Sequence, residues 1–160
     1  MQITAEPGSP QMTATRDVAA PRDLVYRAYT EPELLAQWMG PRRLTMIVDV
    51  NELHHGGRWR FVHHDAEGNT FGFRGVFHGD PSPEGIVRTF EFEGAPGYVS
   101  LEMLTLEPIE GGTRIHMNVV HDTVISRDMH LQNGMEAGMR ESMERLDDLL
   151  VTLVPSAGRA

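Results

Sequence analysis

The stretch HHGGRWRFVHH, residues 54 to 64, holds half of the chain's eight histidines, and imidazole is the commonest protein ligand for transition metals. A metal site, a general base or the polar rim of a pocket could each be built from His54, His55, His63 and His64, with Glu52 close by on the same segment. The expected geometry argues against metal. If Gly56-Gly57 are the central pair of a two-residue hairpin turn, His55 pairs with Arg58, His54 pairs with Trp59 and His63 falls opposite Val50. At about 3.3 Å per strand residue, His54 and His63 then lie roughly 13 Å apart. No single ion bridges that span. Adjacent histidines on a strand point to opposite faces, so neither pair chelates as a unit, and no H-x-x-x-H or H-x-E pattern adds support. Neither metal nor cofactor is expected.

The same register puts Val50, Glu52, His54, Trp59, Phe61 and His63 on one face, with Glu52 and His54 as its polar end. A carboxylate beside an imidazole stabilises the imidazolium and orients the ring. That suits a general base, and equally an anchor for the polar end of a ligand. His63, His116 and Asn118 complete the set that could do acid–base work. No serine lies in a G-x-S-x-G turn and no Gly-rich phosphate loop is present, so no catalytic residue is assigned.

The elements that position these residues follow from periodicity. With 40% hydrophobic and 23% charged residues in 160, the chain reads as one globular domain. Residues 1 to 10 are expected as a loose lead-in, 11 to 154 as the domain and 155 to 160 as a tail. A strand over Gln11 to Val18 is followed by a helix from Pro21, whose missing N–H suits the first turn. A second short helix runs from Pro32 to Trp38 and stops at Gly40-Pro41. Alternation then predicts six strands, beginning with Leu44 to Asn51. The others are Arg58 to His64, Thr70 to His78, Ile86 to Phe92, Val99 to Glu107 and Thr113 to Asp122. The breaks AEGN, GDPSPEG, GAPG and EGG carry turn chemistry, and such short spacings mean an antiparallel meander. One long helix closes the chain, from an N-cap at Ser126 to about Val154. Its stripe is Leu131, Met135, Met139, Leu146, Leu149, Leu150 and Leu153, and Glu136–Arg140 and Glu141–Arg145 are i,i+4 pairs on the wet side.

A net charge of −9 with no lysine works against nucleic-acid binding, which rests on clustered basic residues. Zero cysteines exclude disulfides and thiolate chemistry. No secretory leader pattern and no run of eighteen apolar residues is found, so a soluble cytoplasmic protein without a membrane span is expected.

The order strand, two helices, six strands, long helix resembles the α+β helix-grip fold of the START and birch-pollen-allergen superfamily (SRPBCC). Within it the chain is similar to the branch named after the activator of the heat-shock chaperone ATPase. The resemblance rests on APRDLVYRAYTEPELLAQWMGP at 20 to 41, GGRWRF at 56 to 61 and RGVFHGDPSPEGIVRTFEFEG at 74 to 94. It continues through LEPIEGGTRIHM at 106 to 117 and GMRESMERLDDLL at 138 to 150. His54 stands where the family often has arginine, and Met139 where it often has an aromatic residue. The resemblance implies a curved antiparallel sheet wrapped around the long helix, with a cavity between them.

The expected occupant is a small, largely apolar molecule, since phenylalanine and methionine walls suit a compliant guest. The expected lining is Trp38, Met46, Val48, Glu52, His54, Trp59, Phe61, His63, Phe71, Phe73, Phe90, Phe92, Met103, Asn118, Met135 and Met139. Gly134 and Gly138, inside the last helix, would leave room for it or for close contact with the sheet, at about 1 kcal/mol each relative to alanine. A cyclase- or hydrolase-like activity on a polyketide-like substrate and regulation of a chaperone ATPase, with a link to stress, are the alternatives. The sequence leaves a homodimer open.

Overall fold

The computed structural model describes residues 1–155; most of the expected tail, 156 to 160, lies outside them. The strands are β1 (Gln2–Thr4), β2 (Gln11–Val18), β3 (Thr45–Asn51), β4 (Arg58–His64), β5 (Thr70–Val76), β6 (Gly85–Phe92), β7 (Val99–Ile109) and β8 (Gly112–Val120). They form one antiparallel sheet in the order β1-β2-β8-β7-β6-β5-β4-β3. The helices are α1 (Arg22–Thr30), α2 (Pro32–Trp38), α3 (Val124–Gln132) and α4 (Met135–Leu153). None of the described helices is long and apolar enough to cross a membrane. The α+β architecture is the one the resemblance implied.

Burial alternates along the strands, as a sheet with one covered face requires. Met12, Ala14 and Val18 of β2, Trp59 and Phe61 of β4, Leu104 and Leu106 of β7 and Ile115 and Val119 of β8 are buried. Against them pack Val25 and Ala28 of α1, Leu35 and Trp38 of α2, and Met143, Leu146 and Leu150 of α4. The two short helices are tied together by the Trp38 indole N–H, which donates to the Ala28 carbonyl at 2.8 Å. Arg145 of α4 donates to the carbonyls of Gln37 and Gly40, both at 2.8 Å. It thereby satisfies groups left open where α2 ends.

Strands β5 and β6 approach closely at Gly75. A Cβ there would lie 1.9 Å from the Thr89 carbonyl oxygen and 2.6 Å from Trp59 Nε1, so only glycine lets the strands approach this closely. The Trp59 indole N–H donates to that carbonyl at 3.1 Å. Regular pairing of β5 with β6 is limited to Phe73↔Phe92 and Arg74↔Glu91.

Five expectations are corrected. The lead-in contains β1, which pairs with β2 through Gln2↔Thr15 and Thr4↔Thr13. The hairpin before β4 is not a two-residue turn: Asn51 pairs with Trp59, Met46 pairs with His63, and the register shifts between Val48 and Val50. Glu52 to Gly57 form a longer loop, because the Glu52 carboxylate bonds the Arg58 N–H at 2.7 Å and the Gly56 N–H bonds the Phe77 carbonyl at 2.9 Å. The long helix is broken at Asn133-Gly134, where Gly134 has φ +78°. That left-handed conformation ends a helix, and glycine adopts it without steric cost. Its first half is capped by Thr123, whose hydroxyl accepts from the Ser126 N–H at 3.0 Å, so Ser126 sits inside the first turn. Of the two expected ion pairs on α4, Glu136–Arg140 forms at 2.7 Å. Glu141 instead accepts from the Arg42 N–H at 2.8 Å, because Arg145 is engaged with α2.

Candidate functional site: a cavity beneath the C-terminal helices

Between the concave face of the sheet and α4 lies a cavity of about 270 Å³. Trp38, Phe61, His63, Phe73, Phe90, Met135 and Met139, all expected there, line it. Phe73 stands between Phe90 and Phe92, with ring centroids 5.4 and 5.1 Å away. Gly138 also lines the cavity, and a Cβ on it would meet nothing within 4 Å. Its expected role of leaving room fits this geometry. Gly134 is different, serving the break between α3 and α4.

The other expected lining residues are elsewhere. Met46 and Trp59 are buried in the core, and Val48 packs against it. Phe71 and Phe92 share the register of the inner face, opposite His63 and Phe73, but lie outside the cavity lining. Met103 and Asn118 pair with each other across β7 and β8 on the outer face, where Asn118 accepts from the Gln11 side chain at 2.7 Å. Strand β7 is apolar in both registers, so Leu101 and Met103 compete with Leu104 and Leu106. The helices select the second set. His116 is also outside, bonded to Glu107 at 3.0 Å.

Glu52 and His54 do not form the expected rim pair. Glu52 is held by the backbone N–H and guanidinium of Arg58, and these bonds lower its pKa below the ordinary carboxylate value. The His54 ring contacts the neighbouring His55 carbonyl at 3.0 Å. His55 accepts the Gly79 N–H on Nδ1 at 2.9 Å, so the 54–55 pair belongs to the loop at one end of β4 and the 63–64 pair to its other end. Among the described residues no group of three or more His, Cys, Asp or Glu is placed to hold a metal ion.

Polar groups do reach the cavity: His63, as expected, and Tyr29, Arg88, Glu102 and His130, which were not expected there. Arg88 of β6 and Glu102 of β7 are cross-strand partners, their side chains 16% and 17% exposed, and Arg88 Nε donates to Glu102 at 2.9 Å. The guanidinium lies over Trp59, 4.2 Å from the ring centroid, an attractive cation–π arrangement. Tyr29 of α1 brings a buried hydroxyl with no hydrogen-bond partner among the described residues, and burial raises its pKa well above the ordinary phenol value. His63 is 7% exposed; burial first, then Arg145 and His64, lowers its pKa to about 4. Gly40 lies so close that a Cβ there would come within 2.6 Å of the His63 ring.

From α3, His130 lines the cavity and stacks on Phe90 at 6.4 Å. Its Nδ1 meets Nε2 of His121 at 3.0 Å, and His121 Nδ1 faces the Pro10 carbonyl at 3.3 Å. A carbonyl only accepts, so neutral His121 carries its proton on Nδ1 and accepts on Nε2. His130 is then the donor through Nδ1, which leaves its Nε2 as an acceptor. Burial lowers the pKa of both rings.

A signal for the polar floor was present. Arg88 shares the parity of Phe90 and Phe92, residues already assigned to the inner face, and a charged residue on an apolar face is the informative exception.

The chain resembles several solved bacterial proteins. A Rhodobacter sphaeroides protein is 33% identical with a TM-score of 0.85, over 95% of this chain and 99% of that one. A Nitrosomonas europaea protein is 28% identical with a TM-score of 0.77, over 89% and 94%. The AHSA1 protein of Silicibacter pomeroyi, 22% identical with a TM-score of 0.73 over 89% and 98%, is alike in fold. No curated protein matches the chain. The model of the family described as Activator of Hsp90 ATPase homolog 1-like protein matches residues 19–151, a span that contains both the sheet from β3 to β8 and most of α4, and the chain belongs to that family.

Proposed function

We propose that the protein binds a small, largely apolar molecule in the cavity between its sheet and its C-terminal helices. The observation that carries this reading is the space of about 270 Å³ walled mainly by aromatic rings and methionines. Gly138 borders it on the inside of α4, a position where alanine would be the better helix former. For scale, a cavity of about 150 Å³ with aliphatic and aromatic walls accommodates benzene. The space here suits a molecule of one or two rings, or a short branched chain. Methionine side chains adapt to the shape of a guest at little cost.

Acid–base catalysis loses the pair that motivated it, since Glu52 is committed to Arg58 and lies in a loop away from the lining. The reading here is reversible binding. Titration with an environment-sensitive apolar fluorophore checks it: saturable binding to the native protein is expected. Met139→Trp, which puts an indole into the space, is expected to weaken that binding at least tenfold. A correctly folded Met139→Trp protein with unchanged affinity would place the binding site elsewhere.

A further inference from the structure

We propose that the ligand of this cavity is an uncharged molecule whose apolar body ends in a hydroxyl or carbonyl group, received by a polar floor of Tyr29, Arg88 and Glu102. This rests on the binding reading above and specifies the chemistry of what is bound.

The first argument concerns unspent hydrogen-bonding capacity. Arg88 donates to Glu102 through Nε, while Nη1 and Nη2 have no acceptor among the described residues. Glu102 accepts that bond on Oε2, leaving Oε1 to accept another. The Tyr29 hydroxyl is buried and unpartnered, and it is close enough to Arg88 and Glu102 for both to act on its ionisation. Arg88, Glu102 and Tyr29 all line the same cavity. A buried hydroxyl without a partner is destabilising; a guest oxygen at this end can accept from these donors, and a guest hydroxyl can also donate to Glu102 Oε1. The guanidinium is held over Trp59 and also lies 5.5 Å from the centroid of Phe61. Its free edges are therefore oriented before any ligand arrives, which lowers the ordering cost of binding.

The second argument concerns charge. Among the described residues, Arg88 and Glu102 are the only Arg, Lys, Asp or Glu side chains in the lining, and they neutralise each other. Arg16, which also acts on Tyr29, is paired with Asp147. His63 and His130 face the cavity as uncharged rings at neutral pH, since burial disfavours their protonation. A carboxylate or ammonium entering this space would lose its hydration without gaining a net countercharge. A hydroxyl or carbonyl carries no such penalty.

The test is a series of ligands with one shape and three end groups: naphthalene, 2-naphthol and 2-naphthoate, titrated at pH 7.5 by calorimetry or ligand fluorescence. The expected order places 2-naphthol about tenfold or more tighter than naphthalene, the scale of one hydrogen bond to a charged group. It also places 2-naphthol at least tenfold tighter than 2-naphthoate. Tyr29→Phe removes the hydroxyl and keeps the ring; it is expected to weaken 2-naphthol severalfold more than it weakens naphthalene. Binding of 2-naphthoate as tightly as 2-naphthol overturns the uncharged-ligand proposal and leaves the apolar cavity standing. Equal affinity for naphthalene and 2-naphthol overturns the polar floor in the same way. If none of the three binds, the cavity is not a binding site and both readings fall.

Discussion

Two glycines four residues apart make opposite predictions. At Gly138, inside α4, a Cβ would meet no atom within 4 Å and the backbone is not left-handed. Alanine should therefore recover the helix propensity that glycine forfeits, about 0.8–1.0 kcal/mol, with nothing to offset it. For a chain of this size that corresponds to a rise in Tm of about 2–4 °C. At Gly134 a Cβ would also meet nothing within 4 Å, but φ is +78°. Alanine there is placed in the left-handed region at a cost of about 1–2 kcal/mol, a fall in Tm of about 2–8 °C. Because neither substitution makes or breaks a contact, the difference in sign isolates backbone conformation. Circular dichroism melts and urea midpoints of wild type, Gly138→Ala and Gly134→Ala measure it directly. The Gly138→Ala methyl also enters the cavity, so the more stable variant should bind an apolar probe less well. Destabilisation by Gly138→Ala would mean that the space beside α4 is filled, and a neutral Gly134→Ala would mean that α3 and α4 are continuous; either result refutes the reasoning.

Acidification should destabilise the protein through His63. Its folded-state pKa, about 4, lies below the unfolded value of about 6.5, so the unfolded chain takes up the proton first. The stability is present above pH 6.5 and is lost as pH falls from there to about 4, a change on the order of 3 kcal/mol. His121 and His130 are shifted in the same direction. Urea midpoints across pH 7.5 to 4 should show a shallower decline in His63→Leu, and an identical decline would rule out His63 as a source. Glu52→Gln should leave apolar-probe affinity unchanged, because the carboxylate bonds Arg58 in the loop; a tenfold loss would return Glu52 to the site.

The strands were legible because their signals are local. Arg58 to His64 is bounded as expected, since WRF alternates cleanly and a Gly-Gly pair precedes it. The register of the same hairpin was not legible. It depends on where the Glu52 carboxylate finds N–H groups and on the shift at Asp49, neither of which leaves a periodic trace. The single long helix failed for a related reason: its apolar stripe passes through Leu131 and Met135 without interruption. Only the φ of one glycine separates a helix interior from a helix break. A glycine four residues ahead of another offered both readings, and helix propensity alone does not choose between them.

The cavity shows the same division between what a pattern carries and what packing decides. Phenylalanines at alternating positions of β5 and β6 identify the inner wall, and the helix methionines identify the facing one. The polar floor leaves no cluster in the sequence, because it is built from single charges that interrupt an apolar face. Arg88 sits two residues from Phe90 on such a face, and its ionic partner, Glu102, comes from a strand with apolar residues on both faces. When a buried charge is balanced by an opposite charge on the adjacent strand, the pair costs far less than either alone. It can then persist inside a cavity whose other walls are apolar. What distinguishes this floor from a purely structural ion pair is the capacity left over: free guanidinium edges, a free carboxylate oxygen and an unpartnered phenol. Those groups confer specificity on walls that would otherwise accept any apolar guest of the right size.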